Sequence, residues 1–453
     1  MPRHRVDGGG GPQRHPYCTI IASFAAWKFF LLTVALGSIL AGNPYDTSAE
    51  LLLLQHHQED GRNATAGRSP EEGLGVRLIT RLTSWDAVYF VSTAHRGYRF
   101  EQEWAFGTGL PFTVRILLHG LTHIGFFDLS AAGGRPVPEA IAGIAIVNTA
   151  HLLAAFVLYR LGQVIWRDRA LSLAAALVHI ISPAGLFLST PYAESSYALL
   201  SFSGFLFFAL SCRAEGSPTR RDLYTIAAGA LFGLATAFRS NGILNGLPFA
   251  LEVVRHLPVL PKRPFDTLRR LLALGMGGLL VAVGSLGPQT VAYLRFCSDS
   301  SGASPRPWCH GYLPSIFTFV QQHYWNVGFL RYWTLSNLPL FLLATPMLVI
   351  LIKSGTDSLR AQNIPAAHEP AESARLLSLV RAAAAAEVLL AVLAITTYHV
   401  QIITRISSGY PTWHWWLAGN LIRGRKAGSR IVTFMVLYAS IQGALFASFL
   451  PPA

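Results

Sequence analysis

One stretch of 26 residues, Arg81 to Phe106, gathers most of the side chains able to do acid, base or phosphate chemistry. It holds three carboxylates, three arginines, a histidine and seven aromatic residues. Asp86 directly follows Trp85. A carboxylate in such a pair, held just outside a membrane, can act as a general base once an acceptor hydroxyl lies within hydrogen-bond reach. The indole beside it suits either the bilayer interface or the face of a sugar ring. Two other carboxylates, Glu101 and Glu103, compete for the role. Asp86 also has a purely structural reading, because Asp commonly starts a helix as its N-cap. Arg96, Arg99 and the histidines are placed to neutralise a phosphate.

Outside this stretch, ionisable groups sit singly beside apolar runs: Glu194, Arg239, Arg405 and His414. A charge at a membrane boundary is costly unless it is paired or used. Snorkelling toward water is the alternative for the two arginines. On charge and sidedness, Arg239, Arg405 and His414 are candidates for a phosphate, and Glu103 and Glu194 for acceptor hydroxyls. There is no Asp-x-Asp pair, no Walker A loop and no dinucleotide-binding glycine fingerprint. A soluble nucleotide donor therefore has no visible cradle. A lipid-linked donor approached from the bilayer needs none, so neither cofactor nor metal is expected. The four cysteines contain no CxxC pair, which argues against structural zinc.

These groups must be positioned by a membrane scaffold. Of the 453 residues, 52% are hydrophobic and 13% charged, and mean hydropathy is +0.40. Several apolar runs reach the roughly 17–25 residues that cross a bilayer as a helix. The expected fold is an all-α polytopic membrane protein with about eleven transmembrane helices. The net charge of +13 is then assigned to cytosolic loops, not to nucleic-acid binding.

Residues 1–18 read as a disordered cytosolic tail, and residues 19–453 as a single transmembrane domain. Spans are expected at Thr19–Gly42, Glu139–Trp166, Ala170–Ser189, Ser195–Cys212, Leu223–Phe238, Ile243–Arg255, Leu271–Phe296, Asn337–Ile352, Leu376–Tyr398, Ile406–Ile422 and Ile431–Leu450. Residues 43–138 form a first luminal loop, which carries the Trp-Asp pair and a glycosylation sequon at Asn63. Within it, Leu110–Phe127 bears Arg115, His119 and His123 on one helical face, so it is expected to lie in the interface. Residues 297–336 form a second luminal loop, in which Cys297 and Cys309 are either a disulfide or two free thiols. Residues 354–374 read as a flexible cytosolic loop. No internal repeat of the kind that builds many transporters is evident.

Several motifs occur in a fixed order: Trp85-Asp86-Ala87-Val88-Tyr89-Phe90, Gly97-Tyr98, Glu103-Trp104-Ala105-Phe106, Ser182-Pro183 through Ser195, Leu200-Ser201-Phe202-Ser203-Gly204, Phe238-Arg239-Ser240-Asn241-Gly242, Arg405 through Pro411, and Trp415-Trp416. In this order they resemble the GPI mannosyltransferase 2 family, in the pattern of a fungal member. The resemblance runs from about Trp27 onward. Two features depart from it: Gly107-Thr108-Gly109 stands where relatives often continue with proline, and residues 354–374 look like an insertion.

The resemblance implies a GT-C-type enzyme of the endoplasmic reticulum membrane with its active site in the lumen. It implies dolichyl-phosphate-mannose as donor and a mannosyl-glucosaminyl-(acyl)phosphatidylinositol as acceptor, which would gain an α-1,6-linked second mannose with inversion. A small membrane accessory subunit is compatible with that reading. Asp86 takes the base position of the motif. Trp85, Asn241 and Tyr410, on matching stretches, join Glu103, Glu194, Arg239, Arg405 and His414 as candidate substrate-binding residues. The alternatives are another mannosyltransferase using the same donor, a transporter, or a non-catalytic membrane subunit.

Overall fold

In hydrocarbon a chain satisfies its backbone polar groups only within a helix or a closed barrel, so long apolar runs dictate helices. The computed structural model describes residues 15–54, 73–126, 134–298, 306–312, 314–362, 364 and 369–450. Among these, every regular element is helical. Helix α1 (Pro16–Ala41) is followed by the short α2 (Ser48–Leu54), α3 (Leu74–Leu82), α4 (Asp86–Arg96) and α5 (Gly109–His123). Then come α6 (Val137–Trp166), α7 (Arg169–Ile180), α8 (Glu194–Arg213), α9 (Pro218–Phe238), α10 (Leu247–His256) and α11 (Pro264–Cys297). The short α12 (Ile316–His323) precedes α13 (Leu338–Arg360), α14 (Pro370–Thr396), α15 (Ile403–Ile406), α16 (Pro411–Ile422) and α17 (Lys426–Ala447).

Seven helices in the described residues are long and apolar enough to cross a membrane: α1, α6, α8, α11, α13, α14 and α17. The protein is an all-α, multi-span membrane protein. The other four expected spans are helical too, in α7, α9, α10 and α16, but each is shorter or more polar than that standard. Helix α5 is 15 residues long, about 22 Å at 1.5 Å per residue, short of the roughly 30 Å hydrocarbon core. It buries Leu110, Val114 and Leu118 and exposes Arg115, His119 and His123, the asymmetry of an interfacial helix.

Small residues let the central helices touch. A Cβ added to Gly284 on α11 would lie 2.0 Å from the Gly233 carbonyl oxygen on α9. One added to Gly229 would lie 2.4 Å from the Gly277 Cα. Such backbone contact replaces the hydrophobic drive that helices lack against lipid. Polar ties supplement it. Lys28, half-buried on α1, donates to the Leu188 carbonyl and the Ser189 hydroxyl, both at 2.7 Å. Asn148 on α6 donates to the Ser189 carbonyl at 2.9 Å. Together they fasten the turn before α8 to two neighbouring helices.

Two expected boundaries shift. Helix α1 begins at Pro16, so the expected tail of residues 1–18 is helical from there, and residues 1–14 lie outside the described residues, as does Asn63. The expected flexible loop at 354–374 is helical at both ends among the described residues: α13 runs to Arg360 and α14 starts at Pro370. Polar pairing explains the helical end of α13. Ser354 is buried against Glu387 of α14, Asp357 accepts from Lys353 and from the Trp416 indole, and Gly355 packs on Val388. A polar run reads as a loop until its partners on another helix are known.

Cys297 and Cys309 form a disulfide with Cα atoms 5.6 Å apart, while Cys18 and Cys212 are free. Thiol counting on the denatured, unreduced protein should find two reactive cysteines, and four after reduction; four in both conditions would contradict the bond. Gly284→Val should lower the yield of folded protein and its unfolding temperature in detergent. Overpacking of this kind costs about 1–3 kcal/mol. An unchanged melt would mean that α9 and α11 are not in backbone contact.

Candidate active site

The site forms where four helix ends meet. After α3 the chain reverses at Trp85, which has φ of 59°. A left-handed conformation at a bulky residue is strained, at roughly 1–3 kcal/mol, and persists only where its surroundings fix it. Here the surroundings are tight. The Trp85 ring packs on Phe449 at 5.2 Å. Arg81, one turn earlier, is buried and donates to the Gly42 carbonyl, just past α1, and to the Ala447 carbonyl at the end of α17. The reversal turns Asp86, first residue of α4, into the open. Its side chain is 34% exposed, and no side chain caps α4. The N-cap reading of Asp86 therefore fails. Its amide instead donates to the Tyr192 hydroxyl at 3.0 Å.

Arg405 on α15 reaches Asp86 Oδ2 at 3.2 Å and lies 3.8 Å from Glu194 Oε1. Its guanidinium also stacks over the Phe187 and Tyr192 rings, 4.7 and 5.4 Å from their centroids. Arg239, just past α9, bonds the same Glu194 oxygen at 2.7 Å. Glu194 is fully buried at the start of α8, and its Oε2 has no hydrogen-bond partner among the described residues. Burial alone would weaken the Arg405 cation. The Asp86 and Glu194 carboxylates outweigh it and raise its pKa above the ordinary value. The four groups balance as two anions and two cations.

Asp86, Trp85, Arg239, Asn241 and Arg405 line one cavity of about 460 Å³, within the range of small-ligand sites. Aromatic and apolar side chains such as Tyr89, Phe106, Phe187, Leu340 and Ile406 make up much of the remaining wall, together with the uncharged polar groups Ser240, Gln321, His399 and Gln401. Arg239 spends one nitrogen on Glu194, and its side chain lines the cavity with donors to spare. Arg405 is instead committed to two carboxylates. The geometry thus separates two arginines that the sequence left equivalent: Arg405 orients Asp86, and Arg239 is available to a ligand.

The remaining candidates take other places. His414 does not line the cavity. It is fully buried on α16, 3.3 Å from His179, with its Nδ1 on the Tyr410 carbonyl at 2.8 Å. Its neighbourhood is a stack of rings inside the helices, so it is not a phosphate ligand. Tyr410 is buried behind Asn241, exchanging hydrogen bonds with its amide and carbonyl at 3.3 and 3.2 Å. Glu194 also lies behind its arginines, off the lining. Glu103 is buried and accepts from Arg96 and from the amides of Arg99 and Phe100 at 2.6 and 3.1 Å. It shapes the loop and does not reach the cavity. Glu101 is likewise spent, on the Trp308 indole at 2.9 Å and the Tyr324 hydroxyl at 3.2 Å. Of the three carboxylates in the opening stretch, Asp86 alone lines the cavity.

Sequence reasoning missed Gln321, Trp325, His399 and Gln401, all on the lining. None sits in a recognisable motif. Burial, the largest influence on His399, lowers its pKa below the usual histidine range; Asp86 opposes this and Arg405 adds to it.

A family model described as mannosyltransferase (PIG-V) matches residues 31–453. Three fungal proteins, each named GPI mannosyltransferase 2, are similar over nearly the full length. That of Chaetomium globosum is 69% identical over 97% of both chains. That of Gibberella zeae is 45% identical over 97% of this chain and 98% of its own. That of Yarrowia lipolytica is 32% identical over 96% of this chain and 99% of its own. Among solved structures, the apo oligosaccharyltransferase of Archaeoglobus fulgidus aligns with a TM-score of 0.39 at 14% identity, over 94% of this chain and 57% of that one; the chain spans just over half of that structure's length. The chain belongs to the mannosyltransferase (PIG-V) family and is a membrane glycosyltransferase.

Glu194→Gln removes the anion that holds both arginines. Mannosyl transfer should fall about 10²-fold, the scale of a small misplacement of reacting groups. Glu103→Gln should instead cost about 2 kcal/mol of stability, a charge-assisted hydrogen bond, with kcat nearly unchanged. Equal losses of kcat in both variants would return Glu103 to the site.

Proposed function

We propose that this enzyme transfers the second mannose of the GPI anchor from dolichyl-phosphate-mannose to a mannosyl-glucosaminyl-(acyl)phosphatidylinositol, forming an α-1,6 linkage. The full-length likeness to proteins named GPI mannosyltransferase 2 supports the acceptor class. The observation that carries the chemistry is Asp86, open to a cavity that it shares with two guanidiniums.

The donor sugar is β-linked, so an α product requires inversion in a single displacement. Asp86 takes the proton from the acceptor 6-hydroxyl as its oxygen forms the new bond to the mannose anomeric carbon. The bond from that carbon to the phosphate oxygen breaks on the opposite face, and its electron pair leaves with the lipid phosphate. The phosphate gains one negative charge while Asp86 loses one, so the cavity's total charge is conserved. Arg239 meets the phosphate, and Arg405 keeps the Asp86 carboxylate aimed. A phosphate is a good leaving group, so no separate acid is required. This reading places the protein in the endoplasmic reticulum membrane with the cavity on the luminal side.

Asp86→Asn should retain expression and lose mannose transfer by about 10²–10⁴-fold, the usual worth of a general base. Arg239→Gln should raise the KM for the donor more than it lowers kcat. Both are measured with dolichyl-phosphate-mannose and defined glycolipid acceptors. Full activity in Asp86→Asn would remove Asp86 as base. Elongation of an acceptor other than the mono-mannosylated lipid would replace the acceptor assignment.

A further inference from the structure

The cavity lining divides into two contiguous parts. One is the ionic set already described, linked through Glu194. The other carries no formal charge near neutral pH. It is made by Phe317, Gln321 and Trp325, on and just after α12, and by Tyr398, His399 and Gln401, between α14 and α15. The second part is held together by its own contacts. The Trp325 ring lies 6.0 Å from the His399 ring and 5.7 Å from Phe106. Tyr332 packs edge-on against His399 at 5.0 Å and donates to Gln401 Oε1 at 3.2 Å.

This part is also anchored from behind. Buried Glu101 accepts from Trp308 and Tyr324 on either side of α12. Val320 and Ile316 of α12 are buried with Trp104 and Trp308. The Cys297–Cys309 bond joins the end of α11 to the same segment. A wall fixed in this way keeps its hydrogen-bonding groups in place before a ligand arrives, which lowers the ordering cost of binding.

The polar atoms on this wall have capacity to spare. Gln321 has no side-chain hydrogen bond among the described residues, so its carbonyl and its two N–H donors are open. Gln401 spends its carbonyl oxygen on Tyr332 and retains its amide donors. A neutral His399 offers one ring donor and one ring acceptor. Neutral donors and acceptors between aromatic faces suit a hydroxyl-rich, uncharged ring, whose faces are apolar and whose edges are polar. They do not suit a phosphate, which the ionic part serves better.

We infer that the wall formed by Gln321, Trp325, His399 and Gln401 is the acceptor-sugar subsite, with Gln321 and Gln401 reading the hydroxyls of the sugar that receives the new residue. The inference rests on the transferase reading above and adds which surface selects the acceptor. It assigns a role to the loop before α13: that loop supplies half of the binding wall, and Glu101 and the disulfide set its distance from Asp86.

The test is steady-state kinetics on the purified full chain, varying donor and acceptor separately. Gln321→Leu and Gln401→Leu should each raise the acceptor KM about tenfold, the size of one neutral hydrogen bond, with the donor KM unchanged. The unchanged donor KM also reports an intact ionic wall. Gln321→Asn and Gln401→Asn keep the amide on a shorter arm; they should fall between wild type and the leucine variants, and they serve if a leucine variant does not fold. Acceptor analogues lacking one hydroxyl should bind wild type more weakly, and one of them should lose no further affinity in Gln321→Leu. An unchanged acceptor KM, or a rise confined to the donor KM, would overturn the inference. If the wild-type enzyme mannosylates a different glycan, the acceptor assignment fails by itself. The same variants are then measured with that glycan, and the subsite stands or falls on the same split of KM values.

Discussion

The site depends on one buried carboxylate. Glu194 has no exposed surface, and removing a charge from water costs several kcal/mol unless partners compensate. Compensation comes from Arg239 and Arg405, which approach the same oxygen from different helices. The four ionic residues come from α4, α8, α15 and the end of α9, so the charge at position 194 draws four distant parts of the chain to one place. Arg405 then does two things with one guanidinium: it neutralises Glu194 and reaches Asp86. The proposed base is aimed by a group that must be where it is for another reason. Such over-determination lets the strained Trp85 backbone persist beside it.

A second set of polar contacts sets the height of that ionic cluster along the helices. Lys28 and Asn148 hold the turn at Leu188 and Ser189, and the next few residues carry Tyr192 and Glu194. Tyr192 is fully buried, and its hydroxyl takes the Asp86 amide. A lysine inside an apolar span is costly unless it has such a duty. It donates to a backbone carbonyl and a hydroxyl, so its contribution is positional: α1 and α6 fix the turn, and the turn fixes α4.

The parts of this fold that were legible from sequence are those set by local pattern. Apolar runs mark the long helices because hydrocarbon leaves a backbone few choices. The alternating faces of α5 are read from residues four apart. Its neighbour Trp85 and the motif distinguish Asp86 from Glu101 and Glu103 in the sequence; in the structure Asp86 lines the cavity and the two glutamates do not. What could not be read was partnership across the chain. Glu103 and Glu101 look free until Arg96, Trp308 and Tyr324 are placed beside them. His414 stands among matching motifs like a ligand, yet its helix turns it inward to His179. Ser354 through Arg360 looks like a loop because Glu387 and Trp416 lie far away in sequence. Gln321 and Trp325 carry no local signal, since only the packing of α12 on the Glu101 loop brings them to the cavity.

The two halves of the cavity also explain why its charges balance before anything binds. A cluster with spare positive charge would hold a departing phosphate tightly, and product release would suffer. A cluster with spare negative charge would repel an anionic donor at the entrance. Two anions against two cations avoid both, and in the proposed transfer the balance changes only locally, as a proton moves onto Asp86 and charge accumulates on phosphate. In that proposal charge flows from the Asp86–Arg405 pair toward Arg239, the guanidinium with uncommitted donors. Under the proposed mechanism stabilisation grows where negative charge develops, which is the arrangement that lowers a barrier without tightening ground-state binding equally. An uncharged acceptor wall fits the same logic, because a charged group there would compete with Arg239 for the phosphate or with Asp86 for the proton.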